Sequence, residues 1–364
     1  MDCPVVVITG GAGFLGSAVT VDLARDHQVV AIDRRRPSAQ LAGAAPAVRW
    51  WQADIAHARC VDSAFARARQ QYGRVDFVVH LAAFYHFGTD WRREYQRTNL
   101  EGTAHVLRAA RSSGVRRFLF ASSIAAMLPA PPGECLTENT PATDYIPYAR
   151  SKAMGEALVH EASERMPAAV LRIGGAFSDW SELPPLSALV RLWAGRGPLR
   201  CIVVGRGQTG MPYIHRLDVA RVVRRVIERH RELGPYEVFL ACQDGAVLHQ
   251  DLFRAVAKAD AAGGRDPIHL PPGAARLGLH ARRAFAGLVG DPPYERPWML
   301  QYIDRPWVAD TRYTRNKLDW QCTEGMGVLD RLPVILSRFR HERRAWERRN
   351  RLRDEGRYVY CAES

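Results

Sequence analysis

The sequence predicts an α/β fold: a doubly wound parallel sheet followed by a smaller, irregular C-terminal lobe. Three observations predict it. Short apolar stretches alternate with amphipathic ones through the first 175 residues. The first apolar stretch runs into a glycine-rich turn at residue 10. After Ile173 the alternation gives way to a chain rich in Pro, Gly, Trp and Arg.

In order, the strand candidates are Val5–Thr9, Gln28–Asp33, Val48–Asp54, Val75–His80, Arg117–Ser122 and Ala169–Ile173. Each is short, rich in Val, Ile, Phe or Trp, and mostly apolar on both faces, as parallel strands covered on both sides are. Helical periodicity fills the gaps over Phe14–Arg25, Ser63–Tyr72, Trp91–Ser113 (closed by Gly114) and Tyr148–Arg165. Such alternation builds βαβ units with right-handed crossovers. Beyond Ile173, "GGAFSDWSELPPL" reads as a loop, a helix is expected from about Asp218, and "YEVFLAC" at 236 to 242 is a strand that can return to the sheet. The expected organisation is a first domain over 1–175 with a return at about 214–242, a second lobe from 176–213 and 243–325, and a basic helical tail over 326–364.

Hydrophobic residues make up 47% and charged residues 24% of the 364, the balance of a soluble globular protein. No apolar run approaches the ~18 residues of a membrane span. The N-terminus "MDCPVVVITGG" has neither the basic nor the long apolar region of a signal peptide. A cytoplasmic protein without membrane association is expected. The seven cysteines include no C-x-x-C pair and read as free thiols in a reducing compartment; no metal site is expected. Much of the net charge of +13 lies in residues 337 to 360. Glu342, Glu347, Asp354 and Glu355 interleave there, which is the pattern of a solvated helix with local ion pairs. No zinc-finger or aromatic RNA-binding signature accompanies it, so nucleic acid is not the expected partner.

In "VVVITGGAGFLGSA", Thr9, Gly10, Gly13 and Gly16 stand at the end of the first strand and the start of the first helix. Gly10 permits a tight turn, Gly13 lets the backbone approach a pyrophosphate, and Gly16 lets the helix pack closely. The helix N-terminus then offers free N–H groups to phosphates. The second strand ends in Asp33, 23 residues after Gly10. A carboxylate there accepts both ribose hydroxyls of an adenosine and repels a 2′-phosphate, which favours NAD. Arg34, the first of three consecutive arginines, could instead hold a 2′-phosphate, which leaves NADP open.

Only three of the 51 basic residues are lysines, and one of them forms Tyr148-x-x-x-Lys152. With 12 tyrosines in the chain, chance gives about 0.1 such pairs. Moving a hydride to or from a carbinol carbon needs a group that takes or gives the hydroxyl proton. Free tyrosine, with a pKa of about 10, is a poor base at neutral pH. A lysine four residues on lies on the same helix face, and its charge favours the phenolate. Ser123, at the end of a strand, can hydrogen-bond the same substrate oxygen, and strand ends at this edge are where ligands bind. His80 and His215 read as structural.

Thr9-Gly10-x-x-Gly13-x-x-Gly16, Asp33, Asp54-Ile55 in "WQADI", "HLAA" at 80 to 83, Asn99 in "RTNLEGT", "ASS" at 121 to 123 and Tyr148-x-x-x-Lys152 occur in that order. Together they resemble the extended short-chain dehydrogenase/reductases, the NAD-dependent epimerase/dehydratase group. "PYIHRLDVA" and "ADTRYTRNKLDW" are similar to that group's later landmarks. The resemblance implies a Rossmann domain whose phosphate loop includes Phe14 and Leu15. It implies that Asp54 and Ile55 contact the adenine, that Leu81, Ala82 and Ala83 line the nicotinamide ribose side, and that Asn99 holds a kink in the fourth helix. Ser123, Tyr148 and Lys152 would be the catalytic set, with Tyr148 and Lys152 also meeting the cofactor. A homodimer would form through the helices Trp91–Ser113 and Tyr148–Arg165.

The pattern departs from the nucleotide-sugar enzymes of that group. Gly174 and Gly175 follow "LRI" where those enzymes typically carry an asparagine, and Met211 precedes "PYIH" where they carry an arginine. A diphosphate needs charged, bidentate donors, which methionine lacks; Arg200, Arg206 or Arg216 could compensate. "SSIAAM" is closer to the 3β-hydroxysteroid dehydrogenase and flavonoid or aldehyde reductase branches. Trp180, Trp193, Trp298 and Trp307 suit an apolar substrate, or ordinary core packing. The leading expectation is an NAD-dependent oxidoreductase acting on a small-molecule secondary alcohol or ketone. The alternative is a nucleotide-sugar epimerase or dehydratase. A non-catalytic dinucleotide-sensing or nucleic-acid-binding module is the third, and the intact Ser123, Tyr148 and Lys152 count against it.

Overall fold

The computed structural model describes residues 3–259, 264–289, 294–355, 358 and 360. Six strands follow in chain order: β1 (Val5–Thr9), β2 (Gln28–Asp33), β3 (Arg49–Gln52), β4 (Phe77–His80), β5 (Arg117–Ser123) and β6 (Ala168–Ile173). With Tyr236–Ala241 they form a seven-stranded sheet in the order Tyr236–Ala241, β6, β5, β4, β1, β2, β3. All neighbours are parallel. The strand at 236, expected to return, therefore does so and pairs with β6. The order reverses between β1 and β4, and the crevice at such a reversal is where ligands bind. Thr9, Asp33, His80 and Ser123 all end their strands on that edge.

Between the strands lie α1 (Phe14–Leu23), α2 (Ala39–Ala44), α3 (Ala58–Tyr72), α4 (Gly102–Ser112) and α5 (Pro147–Ser163). Alternate strand residues feed two cores. Val6, Ile8 and Val29 pack against α1 and the helix Arg216–Glu228, while Val7, Val30 and Val78 pack against α3, α4 and α5. Each fully buried aliphatic side chain contributes roughly 1.5–3 kcal/mol.

Several boundaries differ from expectation. β3 is shorter than Val48–Asp54, α3 begins five residues before Ser63, and the helix expected from Asp218 begins at Arg216. The span Trp91–Ser113 is not one regular helix: Tyr95–Glu101 is a π-helical segment that runs into α4. Asn99, where a kink was expected, lies inside that segment.

The C-terminal part is less irregular than its Pro and Gly content suggests, with helices at Pro184–Trp193, His249–Lys258 and Pro272–Val289. Pro184 and Pro272 open helices instead of breaking them, because the first turn needs no N–H partner. The tail forms two helices, Val328–His341 and Arg343–Asp354. The expected ion pairs exist, Arg338–Glu342 at 3.0 Å and Arg343–Glu347 at 2.8 Å. A wholly solvated tail is not what forms: Leu332, Ile335, Phe339 and Trp346 are buried in a third core with Phe177, Trp180, Trp193 and Phe253. The apolar stripe Val328, Leu332, Ile335, Leu336 and Phe339 on the first helix explains why, since charge on one face does not prevent burial of the other.

Candidate active site

Gly10 leaves β1 with φ of +73°, a left-handed turn that only glycine enters freely. A Cβ there would stand 2.8 Å from the Ala82 nitrogen, so the loop after β4 lies directly against the turn. A Cβ on Gly16 would strike the Gly10 carbonyl oxygen, so this glycine serves the packing of α1 on its own loop. A Cβ on Gly13 would meet only the Gly10 oxygen, at 3.1 Å, which leaves its outer side open. No side chain caps α1, and the N–H groups of Phe14 and Leu15 donate to nothing among the described residues. An open, positively polarised helix end of this kind fits a diphosphate. Phe14 is buried and Leu15 packs partly into the core.

The buried Asp33 carboxylate accepts from Ala12 N at 3.1 Å and Arg35 N at 3.0 Å. That fixes it beside the loop with acceptor capacity left for ribose hydroxyls. Arg34 is exposed, and its carbonyl is held by the Gln52 amide at 3.1 Å. Asp54 pairs with Arg97 at 2.7 Å, and Ile55 is buried beneath Gly102. Leu81 N donates to Thr9 O at 3.1 Å, Ala82 N reaches Thr9 Oγ1 at 3.4 Å, and Ala83 is exposed at the cleft edge. These residues stand together at the carboxyl edge of the sheet, where the strand order reverses between β1 and β4.

His80 bridges Thr9 Oγ1 at 2.6 Å and Thr103 Oγ1 at 2.9 Å. Burial, with the nearby Lys152 charge, holds its pKa down at about 3, so it is neutral and structural as expected. His215 caps its helix through Leu217 N at 3.3 Å and faces Asp179 at 3.7 Å, and it too is structural. Asn99 is committed: its amide exchanges hydrogen bonds with the Phe84 backbone at 2.7 and 3.0 Å and donates to Ser151 Oγ at 3.0 Å.

Ser123 ends β5, and Tyr148 and Lys152 lie one turn apart on α5, so the sheet edge and the helix bring the three together. Lys152 Nζ donates to Ala121 O at 2.7 Å and lies 6.0 Å from the Tyr148 ring centre. Burial pulls its pKa down to about 8, against a smaller opposing pull from Glu156. Glu156 is itself engaged by Arg172 at 2.8 Å. The phenol of Tyr148 moves the other way from the sequence expectation. Burial pushes it up to about 12, while the Ser123 hydroxyl and the Arg353 charge oppose the rise. The reason is desolvation: the phenol is enclosed, and loss of water outweighs the charges around it. A neutral phenol is a ready proton donor to a carbonyl oxygen. As a base it needs further positive charge beside it.

The enclosure comes from residues that periodicity did not single out. Asn99, together with Tyr95, whose hydroxyl donates to His86 O, pins the loop 84–87. That loop brings Tyr85 to 5.3 Å and Phe87 to 5.0 Å from the Tyr148 ring. Trp298 stacks beyond Phe87 at 6.5 Å and meets Tyr145 at 5.7 Å. Of the four tryptophans weighed for an apolar substrate, Trp298 alone joins this wall. Trp180 and Trp193 are core residues, and Trp307 is fixed by a 2.9 Å hydrogen bond to Met127 O. Gly175 faces Met211, Leu183 and Tyr213, which supply no cation. Arg206 is exposed beside Asp304, whereas Arg216 is buried next to Phe14. Among the described residues no group of three or more His, Cys, Asp or Glu could hold a metal.

The profile of the NAD dependent epimerase/dehydratase family matches residues 6–242. The chain belongs to this family. It is 26% identical over 235 residues to a mouse dTDP-D-glucose 4,6-dehydratase, covering 62% of this chain and 64% of that enzyme. It is 28% identical over 241 residues to a dTDP-glucose 4,6-dehydratase of Mycobacterium tuberculosis, covering 62% of this chain and 69% of the relative. The chain therefore spans about two thirds of the length of these relatives. A Thermotoga maritima UDP-glucose 4-epimerase, solved with UDP-glucose, superimposes with a TM-score of 0.69 over 93% of this chain and 99% of that one, at 18% identity. The shared architecture is the doubly wound Rossmann fold. NAD is the cofactor that the family's description names, and the glycine loop and Asp33 fit it.

Proposed function

We propose that the protein is an NAD-dependent oxidoreductase of this family, exchanging a hydride between nicotinamide and a secondary alcohol or the matching ketone. One observation carries the reading: Ser123, Tyr148 and Lys152 converge in an aromatic enclosure at the end of the dinucleotide crevice. Gly10, Gly13, Phe14, Leu15 and Gly16 would hold the diphosphate, Asp33 the adenosine ribose, Asp54 and Ile55 the adenine side, and Leu81 to Ala83 the nicotinamide ribose side. Bound nicotinamide supplies the hydride acceptor or donor. Tyr148 gives or takes the hydroxyl proton, Ser123 orients the substrate oxygen, and Lys152 adds the positive charge that the phenolate form requires. The wall of Tyr85, Phe87, Tyr145 and Trp298 excludes water and favours a substrate with an apolar face.

The same site serves a second reading, a nucleotide-sugar epimerase or dehydratase, the two activities named for the relatives. Dehydration must also remove a carbon-bound proton and expel a hydroxyl, and Ile124, Ala125 and Ala126, which follow Ser123, offer no acid or base for that step. The first 175 residues, with the return at 214–242, would form the dinucleotide domain. Residues 176–213 and 243–325 would receive the substrate. A homodimer through α4 and α5 is proposed from an open groove between them, lined by Leu100, Ala104, Met154 and Leu158. A cytoplasmic setting is proposed from the unpaired thiols of the six described cysteines.

The test is nicotinamide absorbance in single turnover across a panel of sterols, aldehydes, ketones and UDP- or dTDP-sugars. Tyr148→Phe should abolish hydride transfer and leave NAD binding within a few-fold. Wild-type turnover in that variant would refute the assignment. Micromolar binding of a nucleotide sugar would move the substrate to the epimerase reading.

A further inference from the structure

We infer that Arg353, carried by the last helix, is an anion grip of the active site that pairs with the diphosphate of a ligand lying across the glycine loop. The inference rests on the reading of the crevice as a dinucleotide site. The Arg353 guanidinium stands 4.8 Å from the Phe14 ring centre and 4.9 Å from the Tyr85 ring centre. Phe14 opens α1, where the free N–H groups lie, and Tyr85 belongs to the wall around Tyr148. The cation therefore bridges the two sides of the crevice, and Tyr148 feels its charge.

Three other arginines of the tail have acidic partners. Arg338 pairs with Glu342 at 3.0 Å, Arg343 with Glu347 at 2.8 Å and Arg349 with Glu182 at 2.8 Å. Arg353 has no such partner among the described residues, and its Nε is buried without a hydrogen bond. A desolvated guanidinium donor without an acceptor is unfavourable, and a diphosphate would satisfy it with the planar two-point geometry that arginine offers. The position is built into the fold. Trp346 is fully buried on the same helix, and Asn350 donates to Trp180 O at 2.9 Å. Contact with Phe14 favours the diphosphate of the cofactor; the diphosphate of a nucleotide-linked substrate offers the same chemistry.

Calorimetry with NAD, ADP-ribose, adenosine and UDP on wild type, Arg353→Gln, Arg353→Lys and the control Arg351→Gln separates the cases. Arg353→Gln should weaken NAD and ADP-ribose about tenfold, as loss of a charge-assisted hydrogen bond does. Adenosine, which lacks the diphosphate, should bind unchanged. Arg353→Lys keeps the charge and loses the fork, so it should lose a few-fold; it also stands in if the glutamine variant does not fold. Weakened UDP with unchanged NAD would keep the grip and assign it to the substrate. Unchanged affinity for all three diphosphates in both variants, or tighter binding in Arg353→Gln, would overturn the inference. Wild type that binds no NAD would instead refute the cofactor reading.

Discussion

Replacing Lys152 by methionine should stabilise the fold while destroying the activity proposed above. Lys152 is buried, and its pKa falls from the ordinary 10.5 to about 8. At ~1.36 kcal/mol per pH unit, that drop is about 3 kcal/mol of destabilisation at pH 7, where the lysine is charged in both folded and unfolded chains. Methionine fills a similar volume and removes the buried charge. It leaves the Ala121 carbonyl without its 2.7 Å partner, which costs about 1–2 kcal/mol. Glu156 keeps Arg172 at 2.8 Å, so no second charge is orphaned. The expected net gain at pH 7 is about 1–2 kcal/mol. Between pH 8 and 10.5 the unfolded lysine holds its proton and the folded one releases it, so wild-type stability rises with pH in that window. At pH 9.5 the penalty has fallen to about 1.4 kcal/mol, and the advantage of the variant should vanish. Urea denaturation followed by tryptophan fluorescence at pH 7 and pH 9.5 measures both values. A variant less stable than wild type at pH 7, or a gain that is the same at both pH values, would refute the reasoning.

Two more outcomes follow from the same geometry. Asp33→Ser removes the carboxylate that repels a 2′-phosphate, so NAD affinity should fall about 10-fold or more while NADP affinity rises; calorimetry that finds NADP preferred already in the wild type would assign the clamp to Arg34. Trp346→Ala empties a fully buried site in the third core and should cost about 3–5 kcal/mol in chemical denaturation. A loss below about 1 kcal/mol would mean that the tail is not anchored there.

The strand, glycine turn and helix start at the head of the chain were legible because their signals are local. A strand, a glycine turn and a helix start are encoded within residues 5 to 16, and the Tyr148–Lys152 spacing within one helical turn. The return of Tyr236–Ala241 to the sheet was readable from its apolar run. The surroundings of the site were not legible. Trp298 and Trp193 look alike in the sequence, yet one faces Tyr145 near Tyr148 and the other lies in a separate core. Nothing local marks Tyr85, Phe87 or Arg353, because their neighbours come from residues far along the chain. The upward shift of Tyr148 has the same origin. Charge spacing on a helix is written in the sequence, whereas desolvation depends on which distant side chains close over the phenol. So the sequence by itself determined the sheet, the glycine turn and the placement of Ser123, Tyr148 and Lys152 at its edge. Only the tertiary structure decided how dry the site is and that the basic tail reaches into it, since burial is a property of contacts between segments and not of any one of them.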